Sequence, residues 1–442
     1  MPPHPDPLDP TARLDGLRTV VMGLGRFGGG VAAARHLAAR GADVLATDLG
    51  SAETLAGAIA ELEGLPIRFR LEGHAVEDFA DADLVVVNPA VPRPWDDPFL
   101  EAARAGGARL LTEIRLAIAR RPAANLIGIT GTAGKSTTAA MVQHALEQVL
   151  PDLDAHLSGN IGGSLLDDPP PPSSSLVLEL SSFMLHWTSG EGGRPEDRVT
   201  PGVAAVTNLA PNHLDWHVDF EHYARCKRSI ASPSPICASP ILVENGAEAC
   251  PEDAGFRLRI PGDHNRSNAG LACRIALAHA AVRVPERSRD ELEAAFRTAL
   301  ESFPGLPHRL ESLGEFRGVH AFNDSKSTTP EATALAVASF DDASRVHLIV
   351  GGYDKGVDLA GLTALASKVA ALHGIGATGP RIAKDVGRVH HDLGAAVRSI
   401  MAEARAGDVI LLSPGCASWD QFDNFEARGS AFREALDGLA GD

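Results

Sequence analysis

Aromatic side chains are scarce in this chain: Phe, Trp and Tyr make up 5% of its 442 residues. Its cores must therefore be built mainly from Ala, Val, Leu and Ile. Basic residues are also few, 40 against 57 acidic, for a net charge of −17. That excludes the basic field by which a protein holds nucleic acid. Any anionic substrate has to be captured by local cations and backbone N–H groups, because the global field repels it. The five cysteines, at 226, 237, 250, 273 and 416, form no CxxC pair, so their spacing indicates neither a disulfide framework nor a zinc site and suits a reducing compartment. No apolar run reaches the 18 residues that would predict a membrane-spanning helix. The opening MPPHPDPLDP lacks the basic and apolar regions of a signal peptide. It reads as a loose tail on a cytoplasmic protein.

The length exceeds what one hydrophobic core can hold, which predicts two or three domains. Alternation of short apolar strands with helical patterns runs through the whole chain and predicts parallel sheets covered by helices. Strands are expected at Thr19–Met22, Asp83–Asn88, Asn125–Thr130, Leu176–Leu180, Gly202–Asn208, Val319–Asn323, His347–Val350 and Val409–Leu412. The expected architecture is three α/β blocks in series, with the third beginning near Leu306. The proline-rich Asp167–Ser175 reads as a surface loop.

The most informative segment is GITGTAGKSTT, Gly128–Thr138, between a predicted strand and a predicted helix. Glycines let the backbone wrap a phosphate chain, and the helix N-terminus adds positive potential. Lys135 can reach β- and γ-phosphates, and Ser136 or Thr137 can bind Mg²⁺. The spacing is TGxxGKST rather than the commoner GxxxxGK. A second glycine motif, GLGRFG at Gly23–Gly28, followed by Asp48, resembles a dinucleotide fingerprint. Alone it signals an anion at a helix N-terminus or simply tight helix–strand packing. Glu179 closes the apolar strand of LVLELSSF, where ligands of parallel sheets bind. It fits an Mg²⁺ ligand and a satisfied strand-end carboxylate equally. TNLAPNHLDWH offers His213 and Asp215 after another strand; GDHNRSNA places Asn265 and Asn268 at a helix start; GLPHRLE carries Arg309. NDSKSTTP, LIVGGYDKG and LLSPGCASWDQFDNFEARG each follow a predicted strand, where one cleft could collect them.

In family order, and spanning nearly the whole chain, TGTAGKST, GNIG (Gly159–Gly162), LELSSF, TNLAPNHLD, the Lys227 segment, GDHNRSNA, GLPHRLE, NDSKST, GGYDKG and SPGCASWDQFDNFEARG resemble the Mur ligases. They are most similar to the branch that adds D-glutamate to UDP-N-acetylmuramoyl-L-alanine. The resemblance implies three domains: a Rossmann-like domain over 1–112 for the UDP substrate, a P-loop ATPase-type domain over 113–305, and a Rossmann-like domain over 306–442 for the incoming amino acid. It implies ATP, two Mg²⁺ ions, an acyl-phosphate intermediate, a monomer, and no nucleic-acid or membrane partner.

The same resemblance assigns roles position by position. Gly131, Thr132, Gly134, Lys135, Ser136 and Thr137 would hold the ATP phosphates, with Asn265, Asn268, Arg309 and Asp324 around the rest of the nucleotide. Ser136 or Thr137 and Glu179 would hold one Mg²⁺; His213 and a carbamylated Lys227 would serve the second. Lys135, Glu179, His213 and Lys227 form the implied catalytic set. Gly25, Arg26, Phe27, Asp48, Asn88 and Ala90 would grip uridine diphosphate, and Asn160 would orient the reacting carboxyl. Lys326, Thr328, Lys355, Ser418 and Phe425 would meet D-glutamate and the transferring phosphate. This chain departs from the family pattern in having Ala133 before GK, Met184 after SSF and a short segment between Lys227 and Gly262. The competing readings are a sister ligase with another acceptor, a nucleotide-binding regulator without catalysis, and a nicotinamide-dependent dehydrogenase.

Overall fold

The computed structural model describes residues 5–25, 28–234, 237, 239–244 and 255–439. The chain forms two compact units, Met1–Cys250 with Asn268–Ala299, and Pro251–Ser267 with Leu300–Asp442. The first unit contains two sheets and the second one.

The first sheet comprises β1 (Arg18–Met22), β2 (Asp43–Thr47), β3 (Ile67–Arg70), β4 (Leu84–Val87) and β5 (Arg109–Leu111), in the order β3-β2-β1-β4-β5 and parallel throughout. The LVVV of β4 is buried at every position, as a parallel strand covered on both faces requires. The order turns back between β1 and β4, which opens a crevice beyond their carboxyl ends. The expected loose tail covers the first ten residues, of which 1–4 lie outside the described residues and 5–10 are not loose. From residue 5 it is pinned: Leu8 is buried, the Asp6 carboxylate accepts from Arg109 at 2.8 Å, and Arg40 donates to the Pro7 carbonyl at 2.9 Å. Composition alone could not show those partners, which lie 33 and 103 residues away.

The second sheet comprises β6 (Leu126–Thr130), β7 (His156–Gly159), β8 (Leu176–Glu179), β9 (Val203–Val206) and β10 (Ile241–Glu244), ordered β10-β9-β6-β8-β7 and again all parallel. β6 is central. Its register sets Ile129 beside Glu179 and Thr130 beside Val206, so the loops after β6, β8 and β9 share one edge. The Arg109 guanidinium ties the first sheet to the second by gripping the buried Asp197 carboxylate, and the Trp216 indole donates to the Val91 carbonyl at 2.8 Å.

In the second unit, β11 (Glu311–Phe316), β12 (Val319–Asn323), β13 (Val346–Gly351), β14 (Ala371–Ile375), β15 (Arg388–Val389) and β16 (Val409–Leu412) run in the order β11-β12-β16-β13-β14-β15. Five strands are parallel. β11 pairs antiparallel to β12, so the expectation of parallel sheets holds everywhere except at this edge. There a Gly318 turn with φ +84° returns the chain directly, without a crossover helix. Asn323 lies beside Leu412, and Ile349 beside Leu412 on the other side. The loops after β12, β13 and β16 therefore emerge together. Among the described residues, no helix is long and apolar enough to cross a membrane.

Candidate active site

The glycine loop leaves β6 at Thr130 and enters the helix Lys135–Val149, capped by Gly134 in a left-handed conformation, φ +81°. Gly131 has φ +146°, and a Cβ there would stand 1.9 Å from the Thr207 hydroxyl. Only glycine fits that position. The loop is shaped from outside: Asn208 Oδ1 accepts from Ala133 N at 3.0 Å, and Thr207 Oγ1 and Asn208 Nδ2 donate to the Ala133 carbonyl at 2.6 and 3.0 Å. Ala133 thus needs no side-chain amide to hold the loop in place. Thr132 Oγ1 lies 2.9 Å from the Tyr223 hydroxyl. Ser136 and Thr137 sit half-buried in the first helical turn.

At the same edge, Lys135 Nζ donates to the Thr132 carbonyl at 3.0 Å. Lys227, on the helix Phe220–Arg228, is 2% exposed, and its Nζ donates to Thr130 Oγ1 at 3.2 Å while lying 4.8 Å over the Tyr223 ring. Burial, followed by the repulsion of nearby Lys135, pushes Lys227 down to about 7. Glu179 is 2% exposed; its Oε1 accepts from Asn160 Nδ2 at 3.1 Å and its Oε2 has no hydrogen-bond partner among the described residues. A buried carboxylate oxygen left unsatisfied is costly in a bare protein, and a cation would satisfy it. Ser136 and Thr137 open the helix that follows the glycine loop; hydroxyl and carboxylate oxygens are hard donors, of the kind that suits Mg²⁺. His213 is exposed, with φ +52°, its ring 5.0 Å from that of Phe183.

The crevice of the first sheet gathers Gly25, Asp48, Asn88 and Ala90. Asp48 Oδ2 accepts from Leu24 N at 2.9 Å and Oδ1 from Gly50 N at 2.8 Å. Asn88 Oδ1 accepts from Ala90 N at 3.0 Å, and its amide nitrogen would lie 3.3 Å from a Cβ on Gly25. Arg26 and Phe27 lie outside the described residues. Asn268 crowds Gly134 so closely that its Oδ1 would stand 2.7 Å from a Cβ there.

The second unit assembles its own group. Asp324 is 3% exposed; it accepts from Leu310 N at 3.1 Å and from the Ser413 hydroxyl at 2.7 Å, and burial pushes its carboxyl up. Lys326 Nζ lies 5.4 Å over the Phe425 ring, and Lys355 Nζ 5.5 Å over that of Trp419. Ser418 is buried, Thr328 half-buried, and Arg309 exposed. Asn265 Nδ2 donates to the Pro261 carbonyl at 2.6 Å.

Sequence reasoning missed Arg428. Its fully buried guanidinium donates to Ser325 Oγ, the Ser325 carbonyl and the Cys416 carbonyl at 2.9, 2.8 and 3.0 Å, stapling the loops that carry Lys326 and Ser418. The residue lies in the quoted ASWDQFDNFEARG run, but nothing there distinguishes a buried arginine from a surface one. Thr130, Thr207, Asn208 and Tyr223 were likewise passed over, although Thr130, Thr207 and Asn208 end or follow strands bordering the loop.

Two family models match this chain. The model described as "Mur ligase middle domain" matches residues 129–252, and that described as "Mur ligase, glutamate ligase domain" matches 308–416. A UDP-N-acetylmuramoylalanine–D-glutamate ligase of Roseiflexus sp. (strain RS-1) is 34% identical over 96% of this chain and 99% of its own length. One from Anaeromyxobacter dehalogenans is 36% identical over 95% and 97%. Among solved structures, UDP-N-acetylmuramate-alanine ligase MurC of Thermotoga maritima superposes with a TM-score of 0.51 at 18% identity, covering 95% of this chain and 99% of that one, a likeness of fold. With both family models matched in chain order, and relatives aligned over almost their whole length, this chain belongs to the Mur ligase family.

Proposed function

We propose that this protein joins D-glutamate to UDP-N-acetylmuramoyl-L-alanine, with cleavage of ATP to ADP and phosphate, as a cytoplasmic monomer in peptidoglycan precursor synthesis. As a Mur ligase it is an ATP-dependent amide ligase. The observation that carries the reaction type is the meeting of Lys135, Lys227 and the half-satisfied Glu179 carboxylate around one glycine loop. The choice of D-glutamate rests on relatives of that printed name aligned end to end.

In this reading residues 1–112 bind the UDP moiety through Gly25, Arg26, Phe27, Asp48, Asn88 and Ala90. Residues 113–305 hold ATP, and residues 306–442 bring the amino acid to Lys326, Thr328, Lys355, Ser418 and Phe425. Asn265, Asn268, Arg309 and Asp324 complete the nucleotide site. The L-alanyl carboxylate attacks the γ-phosphorus, the bond to ADP breaks, and an acyl phosphate forms. The amine of D-glutamate then adds to that carbonyl, phosphate departs, and the amine gives up its proton. Lys135 and the loop N–H groups neutralise charge developing on the phosphates, and Asn160 aligns the reacting carboxyl; catalysis is positioning and electrostatics. Mg²⁺, which Ser136, Thr137 and Glu179 would hold, with His213 and a carbamylated Lys227 at a second position, supplies further neutralisation of phosphate charge.

The test supplies purified protein with ATP, Mg²⁺, UDP-N-acetylmuramoyl-L-alanine and single amino acids. Phosphate release with D-glutamate is expected. Release with L-lysine or diaminopimelate but not D-glutamate overturns the acceptor.

A further inference from the structure

The helix that presents Lys227 carries a second constellation with no part in the proposed reaction. His222 and Cys226 lie four residues apart on it, so both side chains leave one face. His186, from the helix Ser182–Thr188, and Glu191, in the segment after it, meet them there. The Glu191 Oε2 atom lies 3.6 Å from His186 Nδ1, 3.8 Å from His222 Nε2 and 4.0 Å from Cys226 Sγ, and all four donor atoms lie within 4.8 Å of one another. A tetrahedron with zinc-to-ligand lengths has edges of about 3.3–3.8 Å, so a small contraction of this cluster makes one.

Three independent features point to an ion rather than to chance crowding. First, His186 is 4% exposed and its Nδ1, aimed into the cluster, makes no hydrogen bond within 3.5 Å among the described residues, only the 3.6 Å contact to Glu191 Oε2, an unusual state for a buried polar atom. Second, the surroundings fix the ligands' orientation. His222 Nδ1 lies 3.2 Å from His217 Nδ1, and His217 Nε2 lies 2.9 Å from the Ser182 hydroxyl. The chain can run in either direction; in the one where His222 donates to His217 and His217 to Ser182, the His222 Nε2 lone pair is left for a metal. Arg225 Nε holds the other Glu191 oxygen at 3.0 Å, which leaves Oε2 as a single ligand atom. Third, an open cleft of about 450 Å³, lined in part by Trp95, His186, His222 and Arg225, gives access from solvent.

We propose that His186 Nδ1, Glu191 Oε2, His222 Nε2 and Cys226 Sγ form a four-ligand site for Zn²⁺ or a similar borderline divalent cation. A thiol and two imidazoles select such an ion over Mg²⁺. On binding, Cys226 loses its S–H proton to solvent as the sulfur–metal bond forms, so two anionic ligands neutralise the dication. Four protein ligands leave no open position, which makes the site structural: it ties the helix bearing Lys227 to the segment after β8. The cysteine spacing gave no hint of this, because the site draws one Cys and three residues of other types from two separate segments.

The test uses the full chain. After loading with Zn²⁺ and dialysis, one equivalent per chain by mass spectrometry is expected. Co²⁺ should give a thiolate-to-metal charge-transfer band and the visible bands of a tetrahedral ion. Cys226→Ser and His186→Asn, checked for folding by circular dichroism, should bind Zn²⁺ on the order of 100-fold more weakly or worse, and Cys226→Ser should lose the charge-transfer band. No retained zinc in the wild type, no cobalt–thiolate band, or Cys226→Ser binding as tightly as wild type would each overturn the site. None of these readings depends on ligase activity, so the proposal fails or stands apart from the proposed reaction.

Discussion

The ammonium of Lys227 reaches across 3.2 Å to the hydroxyl of Thr130, whose own proton goes to the Leu180 carbonyl at 2.7 Å. That contact brings a buried lysine to the last residue before the glycine loop. Burial holds its ammonium down to about 7, against 10.5 for a free lysine. The sign of the stability effect follows. Between pH 7 and 10.5 the unfolded chain holds a proton that the folded chain lacks, so stability rises with pH by up to about 1.4 kcal/mol per unit. Below 7 both states are charged and the penalty is constant and maximal. In buffers free of carbon dioxide, urea unfolding at about pH 7.5 and 9.5 should show this slope in the wild type and its absence in Lys227→Met. Lys227→Ala should lose ligase activity, with partial recovery on adding short carboxylates; full activity in that variant removes Lys227 from the site.

Lys135 is half-buried, and its ammonium donates to the nearby Thr132 carbonyl. Lys135→Ala should therefore unfold within a few degrees of wild type while ADP formation falls by about 1,000-fold or more, the scale of removing a preorganised charge from a developing phosphoryl charge. A thermal melt and an ADP assay on the same sample check both halves; a large loss of melting temperature would show that the lysine is structural.

What the sequence made legible was the set of pieces that declare themselves locally. Val319–Asn323 and Val409–Leu412 were placed to the residue, because apolar runs bounded by polar turns leave little choice of ends. The glycine loop and Glu179 were found from strand-end position. What stayed hidden depends on pairing between distant segments. The pinning of residues 5–10 and the burial of Arg428 arise from partners 12 to 103 residues away, whereas the antiparallel edge of β11 is set by the short turn at Gly318. Neither propensity nor periodicity encodes such partners. Asp48 and Asn88 were singled out for a ligand, and in the structure both also organise the glycine turn itself, a role that spacing cannot reveal.

Gly131→Ala should be more damaging than an ordinary loop substitution. The backbone sits at φ +146°, and the new methyl would collide with Thr207 Oγ1, the hydroxyl that holds the Ala133 carbonyl. A loss of about 2 kcal/mol or more is expected from urea unfolding, with weakened ATP binding by calorimetry. Gly57→Ala, in the helix Ala56–Ala60 where a Cβ meets nothing within 4 Å among the described residues, is the contrasting case and should stabilise slightly.

Replacing Arg428 tests the staple in the second unit. Arg428→Met would leave the Ser325 and Cys416 carbonyls without their buried donor, and a loss of about 3 kcal/mol is expected. Arg428→Lys keeps the charge but not the planar fork and should recover only part. If Arg428→Met unfolds at the wild-type urea concentration, the guanidinium does not brace these loops.

Glu179 poses a conflict that one substitution resolves. Its Oε2 is buried with no partner while Oε1 takes the Asn160 amide. In the bare protein the carboxylate is thus a liability, and the isosteric Glu179→Gln should melt at or above the wild-type temperature. With Mg²⁺ and a non-hydrolysable ATP analogue the order should reverse. Binding to the folded state alone adds about 2.7 kcal/mol at a hundredfold excess over Kd, and a variant without the charged oxygen should forfeit most of it. A carboxylate kept for packing would give the opposite pattern, with Gln destabilising the bare protein and the ligand shift unchanged. Melting curves of both proteins, with and without the nucleotide analogue, therefore separate a metal seat from a structural strand end without measuring a single turnover.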